Sequence, residues 1–255
     1  MRTDARQGHI RSRADALARP SGAVTPPSPT VQTMILDIDL VSDFVCPWCF
    51  LGKTRLDQAL AELKTTRPDI EARINWLPFF LNPDTPPAGE PYRAFLEAKF
   101  GSPLKVDEML GRIAEAAAPD GLTFAFDRIT TRPNTLKAHR LCYRAQSLGW
   151  TQDKVRALTQ ALFAAHFQQG QDLGDSTVLA DIAAACGDKR DEVLAWLDSG
   201  ADTDKVQRMA DGIRRQGIQG VPFFILNRKL AVSGAQSTAV LGAAILQSLE
   251  TGKPS

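Results

Sequence analysis

The chain has 255 residues, of which 44% are hydrophobic and 23% charged, with a formal net charge of +1. That balance is of an ordinary globular protein and excludes a nucleic-acid surface built on a basic block. No apolar run approaches the roughly 18 residues of a membrane span, and four cysteines in a chain of this length do not make a disulfide scaffold.

Residues 1–33 read as a disordered leader. Arg2, Arg6, Arg11, Arg13 and Arg19 are followed by Pro20, Gly22 and Pro26-Pro27-Ser28-Pro29, with no apolar segment of the secretory type. An organelle address would tolerate the basic residues, but Asp4 and Asp15 speak against one; Met34 is an alternative start. From Ile35 to Val41, Leu36, Ile38 and Leu40 alternate with Asp37 and Asp39, the pattern of a strand. Cys49, Leu56, Leu60 and Leu63 then share one helical face, and Pro47 suits the first helical position, where its missing N–H is not needed. A turn at Arg67-Pro68-Asp69 leads to a second strand, 72–77, so that strand, helix and strand predict a parallel βαβ unit.

A proline-rich loop, 82–87, opens a long helical stretch. Helices are predicted over 91–100, 105–118, 134–148, 153–168, 176–186 and 189–197, divided by Gly101-Ser102-Pro103, Pro119-Asp120-Gly121, Gly149, Gly170, Gly174 and Gly187. His166 shares a stripe with Leu158, Leu162 and Ala165 and reads as a satisfied histidine at the edge of the core. One more helix, 203–216, precedes Gly220-Val221-Pro222 and a short buried strand, 223–226. A hairpin turn at Asn227-Arg228 follows, then a partner strand, 230–232. The closing helix, 237–249, has Val240, Leu241, Ala244, Ile245 and Leu249 on its apolar face. The order β-α-β, helices, α-β-β-α defines an α/β, thioredoxin-like core over 34–88 and 201–252, interrupted by an all-helical insertion over 89–200.

The chemistry centres on Cys46-Pro47-Trp48-Cys49, placed where the first strand gives way to the first helix. Thiolate is the nucleophilic form of cysteine, and a helix N-terminus stabilises negative charge. Cys46 is therefore expected at the exposed end of the helix, with Cys49 nearly one turn on and buried. Two sulfurs at this spacing close a small disulfide ring and store two electrons, with Cys46 attacking and Cys49 resolving. The plain alternative is a pair of ordinary core cysteines. A closed zinc site needs four ligands, and Cys142 and Cys186 stand alone, so no metal is expected.

These residues carry a family resemblance. The chain resembles the DsbA-like thioredoxin-fold oxidoreductases, and most closely their FrnE-like branch. The matching pieces are Asp43-Phe44-Val45-Cys46-Pro47-Trp48-Cys49, Pro78-Phe79-Phe80-Leu81-Asn82-Pro83, Arg132-Pro133-Asn134-Thr135 with Ala138-His139, Gly220-Val221-Pro222-Phe223-Phe224 and Ser233-Gly234-Ala235-Gln236. The resemblance implies that Cys46 and Cys49 are the redox pair. It implies that Pro222 is a cis-proline facing them, and that the backbone of Val221 holds the incoming substrate. Pro47 and Trp48 belong to the same substrate face. The segment from Arg132 to His139 would lie near the cleft, although on its own His139 reads as structural. In a related branch, the kappa-class glutathione transferases and 2-hydroxychromene-2-carboxylate isomerases, a serine commonly stands at the position of Cys46.

The resulting expectation is a cytoplasmic thiol–disulfide oxidoreductase acting on a disulfide- or dithiol-containing substrate, with no partner in nucleic acid or membrane and with a homodimer left open. The cysteine pair would serve in place of a bound cofactor, with glutathione a candidate co-substrate. The rival readings are a glutathione-dependent transferase or isomerase, and a non-enzymatic metal-binding or chaperone-like protein.

Overall fold

The computed structural model describes residues 33–250. The leader expectation for 1–32 and the closing residues 251–255 lie outside them. Strand β1 (Met34–Ser42) buries Leu36, Ile38, Leu40 and Val41 and runs parallel to β2 (Ile70–Pro78), in register from Met34 opposite Ile70 to Ser42 opposite Pro78. Helix α1 (Pro47–Thr66) joins them.

On the other side of β1 lies the antiparallel β5 (Phe223–Leu226), paired in a hairpin with β6 (Leu230–Ser233), giving the order β2-β1-β5-β6. The hairpin turns on Asn227 and Arg228 at φ +49° and +57°, the left-handed pair that matches the twist of the flanking strands. Asn227 also ties the turn down. Its Oδ1 accepts the N–H of Asp37 at 3.0 Å, and its Nδ2 donates to Ser248 Oγ at 3.1 Å.

Between β2 and β5 come β3 (Glu90–Pro91), α2 (Tyr92–Phe100), α3 (Pro103–Ala117), β4 (Thr131–Arg132), α4 (Leu136–Ser147), α5 (Gln152–Phe167), α6 (Ser176–Ala185), α7 (Arg190–Asp198) and α8 (Thr203–Arg215). The predicted helices are present to within one or two residues at most ends. The insertion is not wholly helical: β3 and β4 form a two-residue antiparallel ribbon, Glu90 opposite Arg132 and Pro91 opposite Thr131. A pairing that short leaves no periodicity to read.

Helix α9 (Thr238–Glu250) packs on α1 through Leu241, Ala244 and Ile245, with Ser248 on the same face. Val240, expected on that face, is exposed instead; it lies one residue before the buried row and so turns off it.

One apolar cluster runs through the sheet, α1 and the inserted helices. Its centre is aromatic. Phe50 of α1 stacks on Phe163 of α5 at 5.2 Å between ring centroids, and Phe44 meets Phe163 at 5.0 Å. Phe44 also stacks on Trp76 of β2 at 6.5 Å. The residues flanking the cysteine pair are thereby anchored in the deepest part of the molecule.

Arg55 of α1 adds a polar tie. Its Nε donates to Asp120 Oδ2 at 2.8 Å, Nη1 to the carbonyl of Ala235 at 2.7 Å and Nη2 to that of Ala116 at 2.9 Å. One side chain thus holds α1 against both the insertion and the loop after β6.

Candidate active site

The peptide between β1 and α1 makes a tight turn. The Cys46 N–H donates to the carbonyl of Asp43 at 3.0 Å, and the Cys46 carbonyl accepts the Cys49 N–H at 3.0 Å. Cys46 is the N-cap of α1 and Pro47 its first residue, as the sequence predicts. Both cysteines are free thiols.

Cys49 is 1% exposed, buried as expected. Cys46, however, is only 5% exposed, so its sulfur is not at an open end. The reason is the loop before β5, which closes over it: the Cys46 thiol donates to the carbonyl of Val221 at 3.8 Å. Burial pushes the Cys49 thiol well above the ordinary cysteine range, and hydrogen bonding and charge at Cys46 push it the same way; the Asp43 backbone and the Ser42 hydroxyl act against them. Trp48, at 39% exposure, is the open face of the motif, and Pro47 is half-buried beside it.

The Val221–Pro222 peptide bond is cis. Pro222 is buried, and its carbonyl accepts the N–H of Gly234 at 2.8 Å. Its ring lies against α1 at Gly52, where an added Cβ would stand 2.8 Å from Pro222 Cγ. The loop is therefore fixed on two sides, and Cys46, Val221 and Pro222 come together from segments some 175 residues apart. Cys142 and Cys186 are not part of this group. Cys142 is buried in α4, with its thiol pushed up to about 12 by burial, and Cys186 is half-buried after α6.

A buried acid–imidazole pair adjoins the motif. Asp43 Oδ1 lies 3.4 Å from His139 Nε2, and Asp43 Oδ2 accepts the N–H of Leu81 at 2.8 Å. Burial alone would raise the Asp43 pKa. The hydrogen bond and charge of His139, the Leu81 N–H and the Thr135 hydroxyl outweigh it and hold the carboxyl below its ordinary range. His139 is itself packed by Phe44 at 5.0 Å and Phe80 at 5.2 Å. Reading His139 as a structural residue missed this partner. Asp43 carried one signal in the sequence, its place three residues before Cys46; the pairing across 96 residues carried none. His166 is wholly buried rather than at an edge. Its Nδ1 lies 3.3 Å from the Gln171 carbonyl, and its Nε2 has no partner among the described residues.

Comparison with known proteins identifies the family and the fold. The family model described as a DSBA-like thioredoxin domain matches residues 37–246. The probable DsbA oxidoreductase of Streptomyces coelicolor is a structural match with a TM-score of 0.76 and 30% identity, covering 86% of this chain and 92% of that one. Among curated proteins, the uncharacterized protein YwbO of Bacillus subtilis is 27% identical over 214 residues, 83% of this chain and 96% of that protein. The cytosolic disulfide reductase DsbM of Pseudomonas aeruginosa, solved with GSH, shares the fold at a TM-score of 0.54 and 20% identity, covering 84% of this chain and 98% of that one. With a family model spanning most of its length, a thioredoxin-type sheet and a C-x-x-C pair at the head of α1, the chain belongs to the DSBA-like thioredoxin domain family.

Proposed function

We propose that the protein is a thiol–disulfide oxidoreductase in which Cys46 attacks and Cys49 resolves. The observation that carries this reading is the junction of Cys46 with Val221: a thiol at a helix N-terminus, 3.8 Å from a backbone carbonyl at the head of a strand. The backbone there is placed to pair with an extended substrate chain.

In the reducing direction, the Cys46 thiolate attacks one sulfur of a substrate disulfide. A mixed disulfide forms and the first substrate thiolate leaves, taking up a proton. Cys49 then loses its proton and attacks the Cys46 sulfur. The second substrate thiol is released, and the two electrons lost by the pair reside in the two substrate thiols. The reverse sequence oxidises a substrate dithiol. The high pKa imposed on Cys49 by burial keeps it protonated until the mixed disulfide forms, which supports this order of events.

Within the family we place the chain in the FrnE-like branch, on the strength of its C-P-W-C and G-V-P-F-F segments, and its work in the cytoplasm, with glutathione as a candidate reductant. DsbM, a cytosolic disulfide reductase solved with GSH, supports that choice.

Single-cysteine variants test the reading. Cys49→Ser should accumulate mixed disulfides, visible by mass spectrometry, and Cys46→Ser should lose both trapping and insulin reduction. Full exchange activity in Cys46→Ser would overturn the assignment.

A further inference from the structure

A cavity of about 260 Å³ has Asp43 and Val45, from the turn that leads into Cys46, in its wall. Its other walls come from the loop after β2, the segment Arg132–Leu136 and the α8 residues Gln207 and Asp211. The volume falls below the range of roughly 300–1,000 Å³ typical of pockets that enclose whole ligands, so it suits an end group rather than a peptide strand.

The lining carries both signs of charge. Arg132 is 5% exposed, with its guanidinium 4.2 Å above the ring of Phe95. Nη1 alone is committed, to Glu90 Oε1 at 2.9 Å and to the Thr85 hydroxyl. A guanidinium has five N–H donors, and the Nε–Nη2 edge of this one has no protein partner among the described residues. That edge is the geometry that receives a carboxylate with two parallel hydrogen bonds. The same lining includes Asp43, held anionic within its pair with His139, and Asp211 at the exposed rim.

We propose that this cavity receives the zwitterionic α-amino-acid end of a low-molecular-weight disulfide of the cystine type, its carboxylate on the free edge of Arg132 and its ammonium toward Asp211 and Asp43. The inference rests on the reading of Cys46 as the attacking thiol and names the substrate class of that site. Cys46 and the cavity wall share one turn of chain, since the Cys46 N–H is held by the carbonyl of Asp43. A disulfide anchored by its amino-acid end would extend along this turn toward Cys46, and the Val221 loop would have to uncover the sulfur for attack. The exchange then consumes one substrate disulfide and both protein thiols, and yields two substrate thiols and the Cys46–Cys49 disulfide, which a dithiol reductant returns to the starting state.

The test compares cystine, cystamine, which lacks the carboxylates, dithiodipropionate, which lacks the ammonium groups, and 2-hydroxyethyl disulfide. The purified full chain is used with dithiothreitol as terminal reductant, and each kcat/KM is divided by the uncatalysed rate with dithiothreitol. Cystine should exceed cystamine and dithiodipropionate by about tenfold each, the ratio that one lost charge-assisted contact gives, and 2-hydroxyethyl disulfide, which lacks both groups, by about a hundredfold. Oxidised glutathione carries the same end on a longer arm. It shares the preference if the end group alone is read and lacks it if the cavity also measures length; both results support the proposal and separate the two sources.

Asp211→Asn should narrow the ratio of cystine to dithiodipropionate, and Arg132→Gln the ratio of cystine to cystamine. If Arg132→Gln fails to fold, the unmodified protein and Asp211→Asn carry the comparison. Equal enhancement of all the disulfides would overturn the cavity assignment and leave the redox reading standing. No enhancement of any of them, 2-hydroxyethyl disulfide included, would overturn both.

Discussion

Gly52 lies in the second turn of α1, where alanine would ordinarily favour the helix by about 1 kcal/mol. Here the added methyl would stand 2.8 Å from Pro222 Cγ and 3.3 Å from Phe224 Cζ. A proline ring cannot turn aside as a flexible side chain can, so the loop must move and carry the Val221 carbonyl off Cys46. Gly52→Ala is therefore expected to lower disulfide-exchange activity by about tenfold, a loss of about 1.4 kcal/mol in transition-state stabilisation. The thermal midpoint should fall by no more than a few degrees, because the helix gain offsets part of the strain. Steady-state insulin reduction beside a melting curve measures both, and unchanged activity would show that the loop is not held by this contact. Asp43 belongs to the same scale. It joins the peptide geometry of the cysteine turn, through its carbonyl, to the helical insertion, through its carboxylate on His139.

At the scale of elements, β2 is an edge strand, and unpaired strand edges invite association with other chains. The inserted helices answer this with glutamines. Gln146 of α4 accepts the Trp76 N–H at 2.8 Å and donates to the Trp76 carbonyl at 3.2 Å, as a neighbouring strand would; Gln152 accepts the N–H of Ile74 at 2.7 Å. Gln146→Leu leaves two part-buried backbone groups without partners and is expected to cost about 2 kcal/mol. A urea midpoint equal to that of the unmodified protein would refute this. Such contacts mark the limit of what the sequence makes legible. The helices announce their ends with glycine and proline, and Phe223–Leu226 was readable as a short apolar run bounded by turn residues, because those signals are local. The two-residue ribbon, the Asp43–His139 pair and the glutamine cover of β2 depend on residues tens of positions apart and leave no period behind. The burial of Cys46 has the same origin. The helix N-terminus was legible from Pro47, but the loop that closes over the sulfur arrives from Val221.

For the molecule as a whole, the shared core of sheet and insertion sets the response to acid. His166 lies wholly inside it, edge-on to Tyr92 at 6.5 Å and Phe167 at 4.7 Å. Burial drives its pKa down from 6.5 to about 4, although the Gln171 carbonyl and the charge of Asp43 favour the protonated form. The native imidazole is thus neutral where an unfolded chain would already be protonated. The unfolded state binds more protons between the two values, so stability rises with pH across that interval. The contribution is complete above about pH 6.5 and is lost progressively down to about pH 4, in total about 3 kcal/mol. Asp43, held below its ordinary value of 3.8, works in the same direction but only below that pH, so the two windows separate. Equilibrium unfolding in urea at pH 7, 6, 5 and 4.5 should show falling stability, with a shallower fall in His166→Gln, whose amide keeps a donor for the Gln171 carbonyl and has no proton to gain. Other carboxylates contribute to both curves and cancel in the difference. An identical slope in the two proteins would mean that the imidazole is protonated within the native fold, and that the core between α5 and the ribbon admits water.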